Sequence, residues 1–346
     1  MNASHRMRRV DRIEQRGLRW ELAPEFQQLM PRILDDTGQT VKQSPVTSVT
    51  RHQIGNRVFY RKRYHHENRL LWPTKFFFKA PRSRVEWKLA PRLQALGIPA
   101  VPHLAHGERW SWRGLLESSL ITEQPAGYQP LTGGEELRSP SAQQALGRLV
   151  RRMHDAGLVH GDLSPKNLLV FPQTGALCLV DLDKIACRRA LDLSERLANL
   201  ALIGAQVQLT DAFYEAYGSE FQQHAARVAR EAEAQREVLA ARIARHWRQH
   251  THEMAVHRGE ALLWYVRRQY AGGGLDAVLA NPDRFRDRTG GEFLVWRFGA
   301  GPARARCAFE KAYRRELLGI PGPRPVAVGE DRVCGICRRS YFVARA

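Results

Sequence analysis

The sequence predicts an α+β fold of two lobes, a small antiparallel sheet followed by a mainly helical lobe. First, residues 41–124 contain short runs of alternating apolar and polar residues separated by turn residues. Second, residues 125–215 contain an apolar stripe at helical spacing. Third, a chain of 346 residues, 43% of them hydrophobic, is long enough to bury a full core. Together these observations favour a folded protein over a disordered one.

The predicted sheet starts with two strands, Val46–Thr50 and Arg57–Tyr64, joined by a tight turn. In the second strand Lys62 shares a face with its neighbours two positions away, because side chains alternate along a strand. A helix is predicted from Ser83 to Leu96, where a glycine and a proline follow. Leu104 to Glu123 is then predicted to form a hairpin.

The second lobe is predicted to open with an amphipathic helix, Ser141 to Ala156. A polar loop and two short strands follow, Leu168–Phe171 and Leu177–Val180. Beyond them the chain is rich in helix-forming residues, most clearly over residues 219–250. The predicted divisions are an N-terminal extension (1–40), the first lobe (41–124), the core of the second lobe (125–215), a helical extension or linker (216–284) and a degenerate repeat of the first lobe (285–346).

The repeat is inferred from short patterns that recur at a constant distance. Gly319-Ile320-Pro321 follows Gly97-Ile98-Pro99 by 222 positions, and Gly329-Glu330 follows Gly107-Glu108 by the same 222. Residues 290–298 also resemble the Gly55–Tyr64 turn and strand. The interpretation is a partial second copy of the first lobe, either a packing module or part of a tandem protein.

The second copy is expected to lack chemistry of its own. Trp296 or Arg297 stands where the first copy has Lys62, and Glu310 is the counterpart suggested for Glu86.

The net charge of +19 favours anionic partners, which include phosphorylated ligands, nucleic acid and an anionic membrane surface. A nucleic-acid binder would account for this charge but not for the ordered acidic motif described below. Five cysteines do not form a disulfide framework, and Cys334 and Cys337 are interpreted as ordinary thiols of a hairpin. Free thiols and an N-terminus without an apolar signal segment predict a cytoplasmic protein.

The chemistry is predicted to lie in the loop from His160 to Asn167. It reads His-Gly-Asp-Leu-Ser-Pro-Lys-Asn, so Asp162 and Asn167 are five positions apart, ahead of an apolar strand. Phosphoryl-transfer enzymes use this arrangement, in which the Asp accepts the proton of the attacking hydroxyl and the Asn binds magnesium.

Three further residues complete the predicted site. Lys62 is the expected cation on the nucleotide phosphates, and Glu86 is its expected ion-pair partner. Asp181, at the end of an apolar strand, is the expected second magnesium ligand. Each residue alone is a weak signal, but the five parts in this order are a specific one. Asp183 was interpreted as the cap of the next helix.

Recognition of a nucleotide base is expected at the backbone around Glu123. No glycine-rich phosphate loop is present in the sequence of the first lobe, so Ser44 and Ser48 are the candidates for covering the phosphates.

These residues resemble the protein-kinase-like superfamily and, within it, the lipopolysaccharide kinase (Kdo/WaaP-type) family. The motifs that carry the resemblance are Lys62-Arg63-Tyr64, Val85-Glu86-Trp87, Leu96-Gly97-Ile98-Pro99, Val180-Asp181-Leu182-Asp183 and Arg196–Leu200. The resemblance implies a kinase fold with an N-lobe and a C-lobe, and the use of ATP and Mg²⁺. It further implies an acceptor hydroxyl on Kdo or heptose of the lipopolysaccharide inner core, at the cytoplasmic face of the inner membrane.

Two other hypotheses stay open on the sequence. Gly161 replaces the usual arginine, as in aminoglycoside-type and RIO-like kinases, so a small-molecule or protein acceptor is an alternative. A catalytically silent pseudokinase scaffold is the other, although Lys62, Asp162, Asn167 and Asp181 are all present.

Overall fold

The structure is a computed structural model that divides the chain into two compact units, Met1–Glu233 and Ala234–Ala346, described here one at a time. The residues that it describes are 10–35, 38–44, 46–66, 73–131, 135–249, 253–258, 262–272, 274–285, 292–299, 304–333 and 336–345. In this part of the chain no helix is both long and apolar enough to cross a membrane.

The first unit opens with a seven-stranded antiparallel sheet in the order β1-β2-β6-β7-β5-β4-β3. Its strands are β1 (Asp11–Gln15), β2 (Leu18–Leu22), β3 (Gln39–Gln43), β4 (Thr47–Ile54), β5 (Arg57–His65), β6 (His103–Ser111) and β7 (Gly114–Gln124). Helix α1 (Met30–Leu34) lies between β2 and β3, and α2 (Arg82–Ala95) between β5 and β6.

The N-terminal extension predicted for residues 1–40 is corrected, because β1 and β2 belong to the same sheet as β4–β7. Leu18, Trp20 and Leu22 are buried on one face of β2. They pack with Phe26 and with α1 in one apolar cluster that also contains Phe59 and Ile121. The first lobe therefore begins at β1 and not at residue 41.

The helical part of the first unit contains α3 (Pro140–Asp155), α4 (Leu193–Gly204), α5 (Asp211–Tyr217) and the start of α6 (Ala225–Arg245). Ser139 caps α3 by accepting the amide of Ala142, and Asp192 with Glu195 forms a capping box on α4. Short strands connect these helices: β8 (Gln129–Pro130), β9 (Leu158–His160), β10 (Leu168–Phe171), β11 (Ala176–Leu179) and β12 (Ile185–Cys187). The α+β prediction with a sheet lobe and a helical lobe is confirmed.

Helix α2 joins the two lobes of this unit. Leu89 and Leu93 are buried in the apolar cluster of the helical lobe, together with Leu146 of α3. A parallel bridge between Ala100 and Leu179 lies next to this contact. The sheet lobe and the loop at 160–167 are thus held on one common core.

The second unit contains a five-stranded sheet in the order β13-β14-β16-β17-β15. Its elements are β13 (Met254–Arg258), β14 (Leu263–Arg267), α7 (Gly274–Ala280), β15 (Phe293–Phe298), α8 (Arg304–Leu317), β16 (Arg324–Val333) and β17 (Ile336–Arg345). The prediction of a helical linker over 216–284 is corrected, because β13 and β14 contribute two strands to this sheet. Cys337 lies in β17 as a free thiol, whereas Cys334 and Gly290-Gly291 lie outside the described residues.

The two sheets have the same strand order, with β13, β14, β16, β17 and β15 at the places of β1, β2, β6, β7 and β5. Helix α8 starts 222 positions after α2 and has the same length of 14 residues. Two packing features of the first copy recur in the second. Arg84 pairs with Glu108 in the first copy, and Arg306 pairs with Glu330 in the second.

The second recurring feature is a tryptophan ring that covers a glycine on the neighbouring strand. A Cβ atom on Gly107 would lie 2.6 Å from the Trp20 ring, and one on Gly329 would lie 2.6 Å from the Trp264 ring. Only glycine allows the indole to lie flat on the sheet at these two positions.

The alignment of the second copy with the first shows which of its residues correspond to Lys62 and Glu86. In the strand register, Lys62 lies opposite Leu120 and Trp296 lies opposite Phe342. Phe342 is 222 positions after Leu120 and so corresponds to it. Trp296 therefore occupies the place of Lys62. The suggested counterpart of Glu86, Glu310, is wrong, because a shift of 222 brings Ala308 to that place.

Substitution of the covered glycines is expected to destabilise each sheet separately. Gly107→Ala forces a methyl group against the rigid Trp20 ring and should cost about 1–3 kcal/mol. Hydrogen exchange read by mass spectrometry should show lower protection in β2 and β6. Gly329→Ala should have the same effect on β14 and β16.

Gly299→Ala is the matched control, because no atom of the described residues would lie within 4 Å of a Cβ atom there. Unchanged protection in Gly107→Ala would show that the ring moves away at no cost.

Candidate active site

Lys62 of β5 lies between two carboxylates that come from distant parts of the chain. Its Nζ is 3.4 Å from Oε1 of Glu86 on α2 and 3.1 Å from Oδ1 of Asp181, which follows β11. The Lys62 side chain is 26% exposed and that of Asp181 is 33% exposed, so both reach an open cleft. The structure brings these three predicted residues together.

The Glu86 carboxylate is buried, with a side chain that is 1% exposed. Besides Lys62, its oxygens accept the hydroxyl of Tyr64 at 3.3 Å and the backbone N–H of Leu182 at 3.4 Å. Nε2 of His103 is 3.7 Å away. A buried carboxylate needs this many partners, because an unpaired one would be neutralised or would destabilise the fold.

The charged and polar neighbours of Lys62 and Glu86 keep both side chains ionised. Burial opposes the charged form of Glu86, but the Lys62 ammonium and the bonds to His103 and Leu182 outweigh it, so the pKa of Glu86 is lowered. Burial likewise opposes the charge on Lys62, yet Glu86, Tyr64 and Asp181 raise its pKa. Lys62 is therefore a permanent cation at the cleft.

The loop that carries Asp162 is clamped through its backbone. The Asp162 N–H donates to Nδ1 of His160 at 3.2 Å, and the Asp162 carbonyl accepts Nδ2 of Asn167 at 2.7 Å. Neither bond involves the carboxylate of Asp162, and the Asp162 side chain is 37% exposed. Asn167 is buried, so its amide is fixed by the loop that it closes.

A buried polar network supports this loop from below. Nε2 of His160 donates to the Asp181 carbonyl at 3.0 Å, and Nδ2 of Asn199 on α4 donates to the His160 carbonyl at 3.0 Å. Oδ1 of Asn199 accepts Nε2 of His154 at 2.9 Å, and Nδ1 of His154 accepts the hydroxyl of Tyr217 at 2.7 Å. The loop and the Asp181 strand end are thus fixed relative to each other.

Both histidines in this network are neutral at pH 7. Burial lowers the pKa of His160 and lowers that of His154 to about 4. The sequence analysis missed His154 and Asn199. Both are polar residues on the buried faces of predicted helices, which is the one signal that the sequence offers for them.

Lys166 is a further residue that the sequence analysis missed. Its Nζ is 4.0 Å from Oδ2 of Asp162, and it lines the same cavity as Lys62. It lies inside the motif, one position before Asn167, so its place in the loop was the available signal.

A cavity of about 290 Å³ lies beside the ion pair. Its lining combines apolar residues of both lobes with polar and charged ones. The lining residues are Val41, Val49, Tyr60, Lys62, Glu86, Val101, Leu120, Thr122, Glu123, Gln124, Pro130, Lys166, Leu169 and Val180.

Three predicted binding residues have other partners. The Glu123 side chain accepts two bonds from the Arg57 guanidinium, at 2.5 and 2.8 Å, and its backbone N–H donates to the Pro102 carbonyl at 3.0 Å, so neither is free for a ligand. The Ser48 hydroxyl is buried and lies 3.3 Å from Nε2 of His65. Ser48 faces away from the cavity, because its neighbour Val49 lines it. The Ser44 hydroxyl accepts the Thr47 amide within the β3–β4 connection.

The interpretation of Asp183 as a helix cap is wrong. Oδ2 of Asp183 is 3.1 Å from Nε of Arg82, the first residue of α2. The next helix, α4, begins ten residues later and has its own cap, Asp192. Burial raises the pKa of Asp183, and the Asp181 charge adds to this effect.

The oxygen donors Asn167 and Asp181 fit a magnesium ion. In the described residues no group of three or more histidine, cysteine or acidic side chains could hold a metal alone. Magnesium needs no such group, because it binds through one or two carboxylates together with substrate phosphates and water.

Comparison with known proteins gives one family. The model of the lipopolysaccharide kinase (Kdo/WaaP) family matches residues 26–221. A 3-deoxy-D-manno-octulosonic acid kinase of Mannheimia succiniciproducens is 34% identical over 109 residues, and one of Actinobacillus succinogenes is 32% identical over 107 residues. Both alignments cover 30% of this chain and 45% of the relative, so the matched part spans less than half of these curated relatives.

A solved structure, WaaP in complex with acyl carrier protein, is 22% identical to this chain. The match covers 64% of this chain and 98% of that one, with a TM-score of 0.46.

Removal of the Lys62 charge is expected to destabilise the first unit in a pH-dependent way. Lys62→Met leaves the buried Glu86 carboxylate without its cation, which should cost on the order of 2–3 kcal/mol at pH 7. The lowered pKa of Glu86 means that its stabilising contribution exists above the reference value of 4.5 and is lost as the pH falls through the folded value. The difference between the two proteins should therefore shrink in acid.

Urea denaturation at several pH values measures this difference. The double variant Lys62→Met, Glu86→Gln is the control, because it removes both charges and should recover much of the loss. A constant difference at all pH values would contradict the assignment of the cost to the Glu86 charge.

Proposed function

The chain belongs to the lipopolysaccharide kinase (Kdo/WaaP) family, and from this premise we propose that it transfers the terminal phosphoryl group of ATP to a hydroxyl of an inner-core sugar. The observation that carries the proposal is the Lys62 ammonium between Glu86 and Asp181, at the same cavity as the Asp162 loop. Phosphoryl transfer is largely positioning and charge neutralisation, and this site supplies both.

Asp162 is the proposed general base. Its carboxylate is partly exposed, and the backbone that carries it is held by hydrogen bonds on both sides. It would accept the proton of the sugar hydroxyl as that oxygen attacks the phosphorus atom. A positioned base of this kind contributes about 10²–10⁴-fold to the rate.

Lys62 and Lys166 are the proposed cations for the phosphates. Lys62 is held by two carboxylates, which fix its position without removing its charge. Lys166 lies beside the base, where negative charge spreads during transfer. Fixed cations at such a place stabilise the transition state, because they need no reorganisation when the charge develops.

The nucleotide base is proposed to lie in the apolar cavity. Val49 comes from the sheet lobe, and Leu169 and Val180 come from the helical lobe, so a planar ring would be enclosed from both sides. The backbone near Glu123 lines this cavity and offers hydrogen bonds to the ring edge.

Asn167 and Asp181 would hold magnesium, which when bound neutralises charge on the nucleotide phosphates. The chain's own part is to fix these two donors. Asn167 is fixed by its bond to the Asp162 carbonyl, and Asp181 by the Lys62 ammonium and by His160 at its carbonyl.

Kdo is the acceptor that we propose ahead of heptose. The two curated relatives are named as kinases of 3-deoxy-D-manno-octulosonic acid, which is Kdo. Kdo carries a carboxylate, and the net charge of +19 suits an anionic glycolipid. Because the donor is ATP, we propose that the reaction occurs at the cytoplasmic face of the inner membrane.

Replacement of the proposed base should abolish turnover and preserve nucleotide binding. Asp162→Asn is expected to lower kcat by about 10²–10⁴-fold with Kdo-lipid A as acceptor, because the amide cannot take the proton. Affinity for ATP should change little. Phosphate transfer from radiolabelled ATP measures the first quantity and calorimetry measures the second.

Asp192→Asn is the matched control, because asparagine caps a helix as well as aspartate does. Parallel assays with heptose-bearing core and with an aminoglycoside test the acceptor. Phosphorylation of the aminoglycoside alone would support a small-molecule kinase, and failure of the parent protein to bind ATP would support a non-catalytic scaffold.

A further inference from the structure

Four exposed aromatic side chains in the first unit form a surface that the site does not use. Phe77 and Phe78 are 55% and 95% exposed, and Trp110 and Trp112 are 38% and 90% exposed. Phe77 is the last residue of a short 3₁₀ segment and Phe78 follows it, and the tryptophans lie at the β6–β7 hairpin. We call these four residues the aromatic patch. Large aromatic side chains this exposed usually mark an interaction site.

The patch is built into the fold and is not a loose end. Phe76 is buried, with its ring 4.3 Å from the His66 ring, and so anchors the 3₁₀ segment. The Lys79 amide donates to the Lys75 carbonyl at 3.0 Å. The Phe77 and Trp110 rings are 5.8 Å apart, which joins the two segments into one surface. Phe78 and Trp112 are thus presented to solvent by ordered backbone.

The charge around the patch is positive. Lys75 and Lys79 flank the phenylalanines, and Arg113 follows Trp112. Residues 73–79 and 109–116 contain no Asp or Glu. The nearest carboxylates along the hairpin are engaged, Glu108 with Arg84 and Glu117 with Arg63.

We propose that the aromatic patch docks this chain on an anionic lipid bilayer. Tryptophan partitions into the headgroup region, where its amphipathic ring has both apolar and polar neighbours, and phenylalanine inserts its apolar ring at the boundary with the acyl chains. Lysine and arginine beside them are attracted to anionic headgroups. The combination of protruding aromatic rings and a basic rim fits a bilayer better than a protein partner, which would offer a pocket or an acidic groove.

The proposal rests on the proposed function in one respect, since a glycolipid acceptor lies in a membrane. Arg82, three residues after Lys79, is bonded to Asp183, and Asp181 is two residues further back. Three residues span at most about 10 Å. A bilayer at the patch would therefore lie close to the end of α2 that touches the metal-binding strand end.

Vesicle binding by the full chain tests the proposal. The parent protein should co-sediment with vesicles of phosphatidylcholine mixed with phosphatidylglycerol, and much less with phosphatidylcholine alone. The double variant Phe78→Ser, Trp112→Ser should bind the anionic vesicles at least about tenfold more weakly, because two aromatic rings no longer leave water. Lys79→Gln should weaken binding at low salt and have little effect at high salt.

Val238→Ser is the matched control, since this exposed valine (65%) lies on α6 and belongs to neither segment of the patch. It should bind like the parent. Equal binding by the double variant and the parent would overturn the proposal, as would a parent that ignores anionic vesicles. A parent that dimerises through the patch, shown by a dimer that the double variant loses, would also overturn it.

The outcome is separable from that for the kinase. The double variant should phosphorylate a detergent-dispersed acceptor at the parent's rate, because neither residue lines the cavity. Vesicle binding through the patch without ATP turnover would sustain the docking surface and refute the proposed function. Turnover without vesicle binding would support the proposed function and refute the docking surface.

Discussion

The buried carboxylate of Glu86 is the constraint on which the first unit depends. A charge that is almost fully removed from water is tolerated only with several partners, and here they come from three elements. Lys62 and Tyr64 belong to β5, His103 belongs to β6, and the Leu182 amide belongs to the strand end that carries Asp181. Satisfying one charge thus sets the sheet, helix α2 and the Asp181 strand end in one arrangement. The positions of the reactive groups follow from the stability of the fold.

Local signals predicted much of this arrangement. Helix α2 was predicted within a residue of its observed start and end, because a Gly-then-Pro stop is a short-range feature. The five residues predicted for the site were selected by their order along the chain, and the structure brings Lys62, Glu86 and Asp181 into contact. What escaped were properties of tertiary contacts. His154 and Asn199 support the loop because α3 and α4 pack together below it. The periodicity of a single helix does not predict which other helix it packs against.

The edge strands of the sheets, and the face to which a strand residue points, were also hard to predict from the sequence. Strand β1 consists largely of charged residues at the edge of the sheet, so it lacks the apolar alternation that identifies a strand. Ser48 was assigned to the cleft although it faces away, because a strand reverses its faces with a shift of one residue and the sequence alone does not fix that choice. Strands β13 and β14 follow a segment rich in helix formers, and the strand-type residues Trp264, Tyr265 and Val266 were overlooked.

Comparison of the two copies of the sheet lobe distinguishes residues that the fold requires from residues proposed for the chemistry. The Arg–Glu pair and the tryptophan over glycine occur in both copies, so they serve the architecture. Lys62 and Glu86 become Trp296 and Ala308, and Leu89 and Leu93, buried in the first copy, become the exposed Lys311 and Arg315. The chain therefore carries its own comparison experiment. A buried residue of α2, β6 or β7 that has no like counterpart 222 positions later is a candidate for what the helical lobe or the proposed reaction requires.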